Sequence, residues 1–572
     1  MDDAPPADAH QSAAARLLAA LSAHGVRWFF GNAGTDFPPV VEAFAEAAEA
    51  GAEVPRPVTV PHENAAVAMA HGVAMVTGEP QAVMVHVNVG TANALNALID
   101  ASRERVPLLL LAGRSPVAEG GLHGARSRWI HWAQEMFDQA GMVREVVKWE
   151  YELRAPGQVG DVVARAVEVA TTEPQGPAYL TLPREALAAR APSVSVGPRR
   201  REPPSPPFPD PAAVARLADW IAAAQRPLVI AGGVGRRPEE TTALAALADR
   251  FALPVVAFNP RYLVLPSGHP MHQGAAPGAL LREADLVVAL DCDVPWIPAL
   301  ERPPADCRVV HVAPDPVFQR YPIRSFPADL QVAASTGPFL AALAAALEAR
   351  IDPGSAPVQA RHARLARRSA DRRAAAQALA ERQAAGPAIG PEHLSRCIAE
   401  AVGPDAIIVN EYPLRPDHAE RTIPGTYFGL SPAGGLGWGF GAALGAKLAA
   451  PDRLVCATLG DGAYLFANPP ACHWVSAAYD LPVLVVVFDN ALYGAVRNST
   501  LAMYGQGAAA RAGGRLLADL GPSPDYAMYA RASGGWGLRV ERPADLPGAL
   551  AEARRVVVEE RRQALLDVVC DC

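Results

Sequence analysis

Long apolar runs are missing from this 572-residue chain: none approaches the roughly 18 uncharged residues that cross a bilayer as a helix. The opening MDDAPPADAHQ is acidic and has no signal-peptide core. Cysteine is scarce. Seven residues, scattered and odd in number, do not make a disulfide framework, and Cys570-x-Cys572 has no second Cys/His pair near it at zinc spacing. These absences point to a reducing cytoplasm and away from membrane and secreted classes. A large basic block is lacking too. Fifty-one Lys and Arg against 59 Asp and Glu leave a net charge of −8. The Arg-rich stretch 361–373 is interleaved with Ala and Leu at helical spacing, which reads as a solvated helix face, not a nucleic-acid footprint. AGGVG (231–235) lacks the rest of a G-x-G-x-x-G fingerprint and its following acid, which argues against NAD. What the chain has is core material: 50% of its residues are apolar and only 19% charged.

Two punctuated linkers divide the sequence, the Pro/Arg-dense 191–211 and a longer one at about 350–390 that includes an Arg/Ala-rich helical stretch. Three segments result, 1–190, 211–349 and 386–572. Each alternates short apolar runs with helical patterns, as parallel α/β sheets do. Strands are expected at 82–87 and 107–113, at 227–233, 254–258, 286–290 and 309–313, and at 406–410, 454–460 and 482–488. Helices are expected at 11–23, 64–76 and 391–402. The expected fold is three consecutive parallel-sheet α/β domains.

The strongest chemical signal lies in the third segment. The strand LVCATL runs into Gly460-Asp461-Gly462, and after residues 463–488 a second buried strand ends in Asp489-Asn490. In open parallel sheets, ligands bind at the carboxyl ends of strands, where both motifs stand. Asp461 and the Asn490 amide offer hard oxygens, and Mg²⁺ takes a few such oxygens together with phosphate oxygens. A diphosphate held through a metal bridge is the physical reading.

With these two strand ends the sequence resembles the thiamine-diphosphate-dependent enzymes of the acetolactate synthase and pyruvate or benzoylformate decarboxylase group. Their signature is Gly-Asp-Gly followed, after a gap of this length, by Asn-Asn. The resemblance implies Mg²⁺ bound by Asp461, Asn490 and the Leu492 carbonyl, with Gly460, Gly462 and Tyr493 beside the diphosphate. Asp489 stands where the family has its first Asn, and Ala463 where many members have a phosphate-touching Ser. Glu63, in PHENAA (61–66), matches the Glu that touches the cofactor's aminopyrimidine ring, where a carboxyl group can trade a proton with a ring nitrogen. FGNAGTDFP (30–38) matches the first glycine-rich turn and puts Thr35 and Asp36 on positions lining the site. VHVNVGTAN (85–93) puts His86 on a catalytic His, suited to moving protons near neutral pH. The decarboxylases' second active-site His has no match, since DCDVPWIP (291–298) occupies that region.

WAQEMFDQAG (132–141) resembles instead the acetolactate synthase segment, giving Gln134 and Glu135. AGGLGWGFGAALG (433–445) places Leu436 on the apolar residue that bends the cofactor, and YGAVR (493–497) matches the decarboxylases again. Trp129, Trp132, Leu436 and Trp438 in or beside these segments suit a bulky apolar substrate side chain. The resemblance implies pyrimidine-binding, central Rossmann-like and diphosphate-binding domains in that order. It implies thiamine diphosphate and Mg²⁺, a homodimer or tetramer, and decarboxylation of a 2-oxo acid with either aldehyde release or carboligation to an acceptor carbonyl compound. FAD occurs in the central domain of some relatives, but nothing in 211–349 argues for it. The alternatives are a flavin-linked 2-oxo acid oxidase and a cofactor-binding subunit without turnover. The retained Glu63 speaks against the second, because binding alone needs only Asp461 and Asn490.

Overall fold

The computed structural model describes residues 11–190 and 202–571. Most of the first linker and Cys572 lie outside the described residues. Three wholly parallel sheets are present. The first contains β1 (Trp28–Gly31), β2 (Arg56–Thr59), β3 (Gln81–Val85), β4 (Leu108–Arg114), β5 (Trp149–Glu152) and β6 (Ala178–Pro183), in the order β2-β1-β3-β4-β6-β5. The middle sheet has β7 (Pro227–Ala231), β8 (Val255–Ala257), β9 (Leu286–Leu290), β10 (Arg308–Ala313) and β11 (Leu330–Ala333), in the order β11-β10-β9-β7-β8. The third has β12 (Ile407–Glu411), β13 (Tyr427–Gly429), β14 (Val455–Gly460), β15 (Leu484–Asp489), β16 (Trp536–Val540) and β17 (Ala564–Val569), in the order β13-β12-β14-β15-β17-β16. Renumbered from its own first strand, the third sheet has the strand order of the first.

The strands form where apolar runs can be buried on both faces, as parallel sheets require. Leu108 to Ala112 of β4 and Leu484 to Phe488 of β15 are all buried. Helices between strands supply the covering layers. The helix Ala13–Ala23, capped by the Ser12 hydroxyl accepting from the Ala15 amide at 3.1 Å, sets Leu17, Leu18 and Leu21 into the first core.

By their internal contacts the described residues form two compact units. One comprises the described residues up to Pro204 together with Ser431–Pro451 and Ala463–Leu481. The other comprises Ser205–Leu430, Asp452–Gly462 and Pro482–Cys572 as far as described. Within the first unit the helix Glu63–Thr77, which follows β2, packs on the helix Gly439–Ala449, which follows β13. These are counterparts in the shared strand order. Small residues make the approach close: a Cβ on Gly72 would overlap the Ala442 carbonyl, and one on Gly445 the Met69 carbonyl.

Two expectations need correction. The strand expected at 82–87 stops at Val85, because the Val87 amide donates to an Asp36 carboxylate oxygen (3.2 Å) and leaves the sheet. His86 then precedes the helix Val87–Arg103, and Val87 takes φ +34, an outlier for a β-branched residue. The helical stretch expected within 350–390 is the helix Ala356–Ala384, 29 residues long, but two of its arginines depart from the expected solvated face. Arg361 donates to the carbonyls of Phe251 and Ala252 at the end of the helix Pro238–Phe251 (2.9 and 3.0 Å), and Arg372 pairs with Asp417 at 2.6 Å. Unpaired helix-terminal carbonyls attract cationic donors, and Arg361 is placed to serve that need.

Candidate active site

In the first unit, the site residues gather at the carboxyl ends of β1, β2, β3 and β4. Glu63 opens its helix and is 9% exposed. Its Oε2 accepts from the Asn93 amide at 2.5 Å. The neighbouring Asn64 donates to the Gly437 carbonyl (3.2 Å) and accepts from Asn96 (3.1 Å) and the Ala97 amide (3.0 Å). Asn96 also donates to the Leu436 carbonyl (3.0 Å), and Asp100 accepts from the Gly435 amide (3.0 Å). Glu63 and the loop bearing Leu436 are therefore tied together by side chains from two helices.

His86 lies between two partners. Its Nδ1 is 2.5 Å from Asp36 Oδ1, and its Nε2 is 3.2 Å from the Gln134 amide nitrogen. The residues drawn from the decarboxylase and the synthase patterns thus touch each other. Thr35 Oγ1 stands 3.5 Å from His131 Nε2. His131 is buried, and burial lowers its pKa, with Arg184, Arg126, Arg128 and His86 acting in the same direction. Glu135, adjacent to Gln134, is held by Arg114 (2.9 Å) and Arg126 (2.7 Å), which fixes the segment. Trp438 is fully buried, whereas Trp129 and Trp132 are exposed.

The other site residues lie in the second unit, at the carboxyl ends of β14 and β15. Asp461 is 2% exposed. Its Oδ1 accepts from the Gly462 amide (2.7 Å) and its Oδ2 from the Leu492 amide (3.2 Å). Burial pushes its carboxyl up to about 6; the Gly462 amide pulls the other way and nearby Asp489 adds to the rise. Asn490 follows β15, and Ala491 turns the chain at φ +53. The Tyr493 amide donates to the Ala518 carbonyl (2.7 Å) and the Leu520 amide to that of Ala491 (2.9 Å), so residues 515–520 staple the loop. A Cβ at Gly460 would meet nothing, while one at Gly462 would run into the Tyr493 ring. Asp489 is a structural anchor: it accepts from Ser523 (2.7 Å), the Ala491 amide (3.1 Å) and Arg539 (3.1 Å), which also holds the buried Asp567 (2.6 Å). No cluster of three or more His, Cys, Asp or Glu side chains suited to a metal occurs among the described residues. A buried carboxylate beside an amide and a turned carbonyl nevertheless fits a hard divalent ion, which would reverse the cost of ionising Asp461.

Sequence reasoning missed Asn64, Asn93, Asn96, Asp100 and His131. The signal was present. Asn93, Asn96 and Asp100 recur at helical spacing, a pattern that a solvated face would also give, yet Asp100 is fully buried. His131 immediately precedes the segment that supplies Gln134.

In the middle sheet, strand order reverses between β7 and β9, where a dinucleotide would lie. That crevice carries the buried carboxylates Asp291 and Asp293, with Asp291 over Gly233. Asp293 is engaged by Tyr321 (2.7 Å) and Arg261 (3.5 Å).

Three family models match the chain: the N-terminal TPP binding domain of thiamine pyrophosphate enzymes over residues 11–142, their central domain over 214–343, and their C-terminal TPP binding domain over 417–568. Benzoylformate decarboxylase of Pseudomonas aeruginosa is 27% identical over 493 residues, covering 83% of this chain and 85% of that protein. A protein of the same organism named Probable 2-ketoarginine decarboxylase AruI is 31% identical over 520 residues, covering 86% and 83%. The acetolactate synthase large subunit of Parasynechococcus marenigrum is 28% identical over 548 residues, covering 92% and 83%. Among solved structures, a thiamine diphosphate-dependent 4-hydroxybenzoylformate decarboxylase of Rhodococcus jostii RHA1 has the same fold, with a TM-score of 0.78 at 22% identity over 98% of this chain and 99% of that one. With these matches and the three parallel sheets, the chain belongs to the thiamine pyrophosphate enzymes, in the group of decarboxylases and acetolactate synthases.

Proposed function

We propose that the protein decarboxylates a 2-oxo acid with thiamine diphosphate and Mg²⁺, releasing an aldehyde. The observation that carries this is the pair of clasps in the first unit, Asn93 on Glu63 and Asp36 on His86. They hold a proton-trading carboxylate and a proton-carrying imidazole in fixed orientations. When bound, thiamine diphosphate supplies the carbon nucleophile and the electron sink for loss of CO₂. Glu63 would exchange a proton with the cofactor's pyrimidine ring, and Leu436 would pack against the cofactor. Asp461, Asn490 and the Leu492 carbonyl would hold Mg²⁺, with Gly460, Gly462 and Tyr493 beside the diphosphate and Thr35 lining the substrate space. His86 moves the proton that ends the reaction at its Nε2. The domains are pyrimidine-binding (1–190), central (211–349) and diphosphate-binding (386–572).

A second reading is carboligation to an acceptor carbonyl compound, as in a transferase. It is favoured by the Gln134 amide, which occupies the His86 Nε2 and would slow protonation there. Neither reading uses a flavin. Met503, Tyr504, Leu516 and Leu517, exposed near the metal loop in sequence, support a homodimer or tetramer, since such side chains are seldom left bare together. A cytoplasmic location is the accompanying expectation; no helix among the described residues is long and apolar enough to cross a membrane.

The test supplies the purified protein, loaded with thiamine diphosphate and Mg²⁺, with phenylglyoxylate, pyruvate and other 2-oxo acids, with and without an acceptor aldehyde. CO₂ with matching free aldehyde supports decarboxylation, and ligated product with little aldehyde supports the second reading. His86→Ala should cut aldehyde release most if the first is right, and Gln134→Ala product formation most if the second is. Consumption of no 2-oxo acid would overturn both.

A further inference from the structure

We infer that Asp36 is a positioning residue that fixes the tautomer of His86, with the proton on Nδ1 and the lone pair on Nε2, on the ring edge that faces Gln134. The inference rests on the reading of His86 as the proton-carrying group.

Asp36 is 3% exposed, and both its oxygens are committed. Oδ1 faces His86 Nδ1 at 2.5 Å, and Oδ2 accepts the Val87 amide at 3.2 Å. One carboxylate therefore holds the imidazole and also the strained turn that presents it. Among the described residues, His86 is the only basic side chain within ion-pair distance of Asp36. The nearby Arg184 spends its guanidinium on the carbonyls of Thr35, Gly124 and Ala125. A carboxylate accepts only, so Nδ1 must donate. The Gln134 amide on the other side donates into Nε2, and the two contacts agree on one tautomer.

The surroundings keep space for this pair. A Cβ on Gly34 would overlap the His86 ring, and one on Gly113, in β4, would overlap the Asp36 carboxylate. His131 does not compete for Asp36: its Nδ1 accepts from the Ser127 amide at 3.1 Å, which leaves its Nε2 hydrogen for Thr35. A buried carboxylate that orients an imidazole is a known way to make one ring nitrogen the reactive one, and replacing it by the amide inverts the tautomer with little change of shape.

The test compares wild type, Asp36→Asn, His86→Ala and the double variant. Proton NMR of the cofactor-free protein should show a downfield imidazole N–H resonance that is lost in both single variants. With the loaded enzyme, Asp36→Asn should lower kcat by roughly 100-fold or more and change KM by less than about threefold. In the His86→Ala background the same change should alter kcat by less than about twofold, because Asp36 acts only through the imidazole. A resonance that survives in Asp36→Asn, or an equal loss of kcat in both backgrounds, overturns the inference while leaving the decarboxylase reading intact. If the wild type consumes no 2-oxo acid, that reading fails, and the resonance alone decides whether Asp36 sets the tautomer.

Discussion

The first and third sheets share one strand order, and their equivalent central strands, β3 and β14, end at His86 and Asp461. Chemically the two ends are opposites. At the first, each charged group already has a partner of fitting type: Asp36 has His86, Glu63 has Asn93, and Glu135 has two arginines. At the third, the buried carboxylates Asp489 and Asp567 share one guanidinium, that of Arg539, while the buried Asp461 beside Asp489 is met by backbone amides. One fold has thus built one strand end whose charged groups are already partnered and another with surplus buried negative charge. The topology supplies the place, and the side chains decide whether it is complete without a ligand.

That contrast can be broken by separating binding from turnover. Glu63→Gln keeps shape but cannot trade a proton, so turnover should fall by about 1,000-fold while cofactor affinity stays within about threefold. Exchange of the cofactor's thiazolium proton, followed by quenched NMR, should slow in step. Asp461→Ala should act the other way round. Titration calorimetry of the cofactor-free protein should show thiamine diphosphate affinity falling by roughly 100-fold in the presence of Mg²⁺. If either variant shows the other's pattern, the division of labour between the two strand ends is wrong.

A smaller effect sharpens the comparison through glycine. Gly445→Ala forces a methyl group into the Met69 carbonyl, so it should lower stability by about 1–3 kcal/mol, read as a lower urea midpoint. Gly460→Ala meets no protein atom and should leave that midpoint unchanged while weakening cofactor binding.

The smallest effect is pH dependence. Burial pushes Glu240, Asp461 and Asp567 up to about 7, 6 and 7. Between about pH 4 and 7 the native protein keeps protons that the unfolded chain has released. The stabilisation these acids give is full below their ordinary values and is lost as pH rises through 6 to 7. His272 and His311, lowered to about 4 chiefly by burial, act in the opposite sense as pH falls below 6.5. Glu240→Gln, far in the chain from the metal loop, isolates one acid. It should gain on the order of 1–3 kcal/mol relative to wild type at pH 8 and nothing at pH 4. A constant difference across that range would refute the buried-acid account.

Much of this was legible in the sequence, for a physical reason. Strands buried on both faces are continuous apolar runs, so β9 (286–290) matches its expectation residue for residue, as does the helix 391–402. The pairing order of the strands is not written locally, and the shared topology of the first and third sheets therefore went unseen. Polar residues at helical spacing look alike whether they face water or another loop, which hid Asn93, Asn96 and Asp100. The same ambiguity made the arginines of 361–373 look solvated, although Arg361 caps a distant helix end. The partner of His86 was in view as Asp36, but its role depends on a contact across 50 residues that spacing does not encode.

The close packing of helix Glu63–Thr77 on helix Gly439–Ala449 also imposes a schedule. Thirteen of the 15 residues in the earlier helix are buried, and the face that takes its counterpart has nothing to rest on until the later helix has been made. A ribosome adding about 5–20 residues per second reaches that point tens of seconds afterwards. Throughout that interval the nascent chain displays a stripe of Ala, Gly, Val and Met that the finished protein hides. The amino-terminal region therefore carries an unfinished apolar face until residues 439–449 are made, and a fragment ending before residue 439 would keep that face permanently.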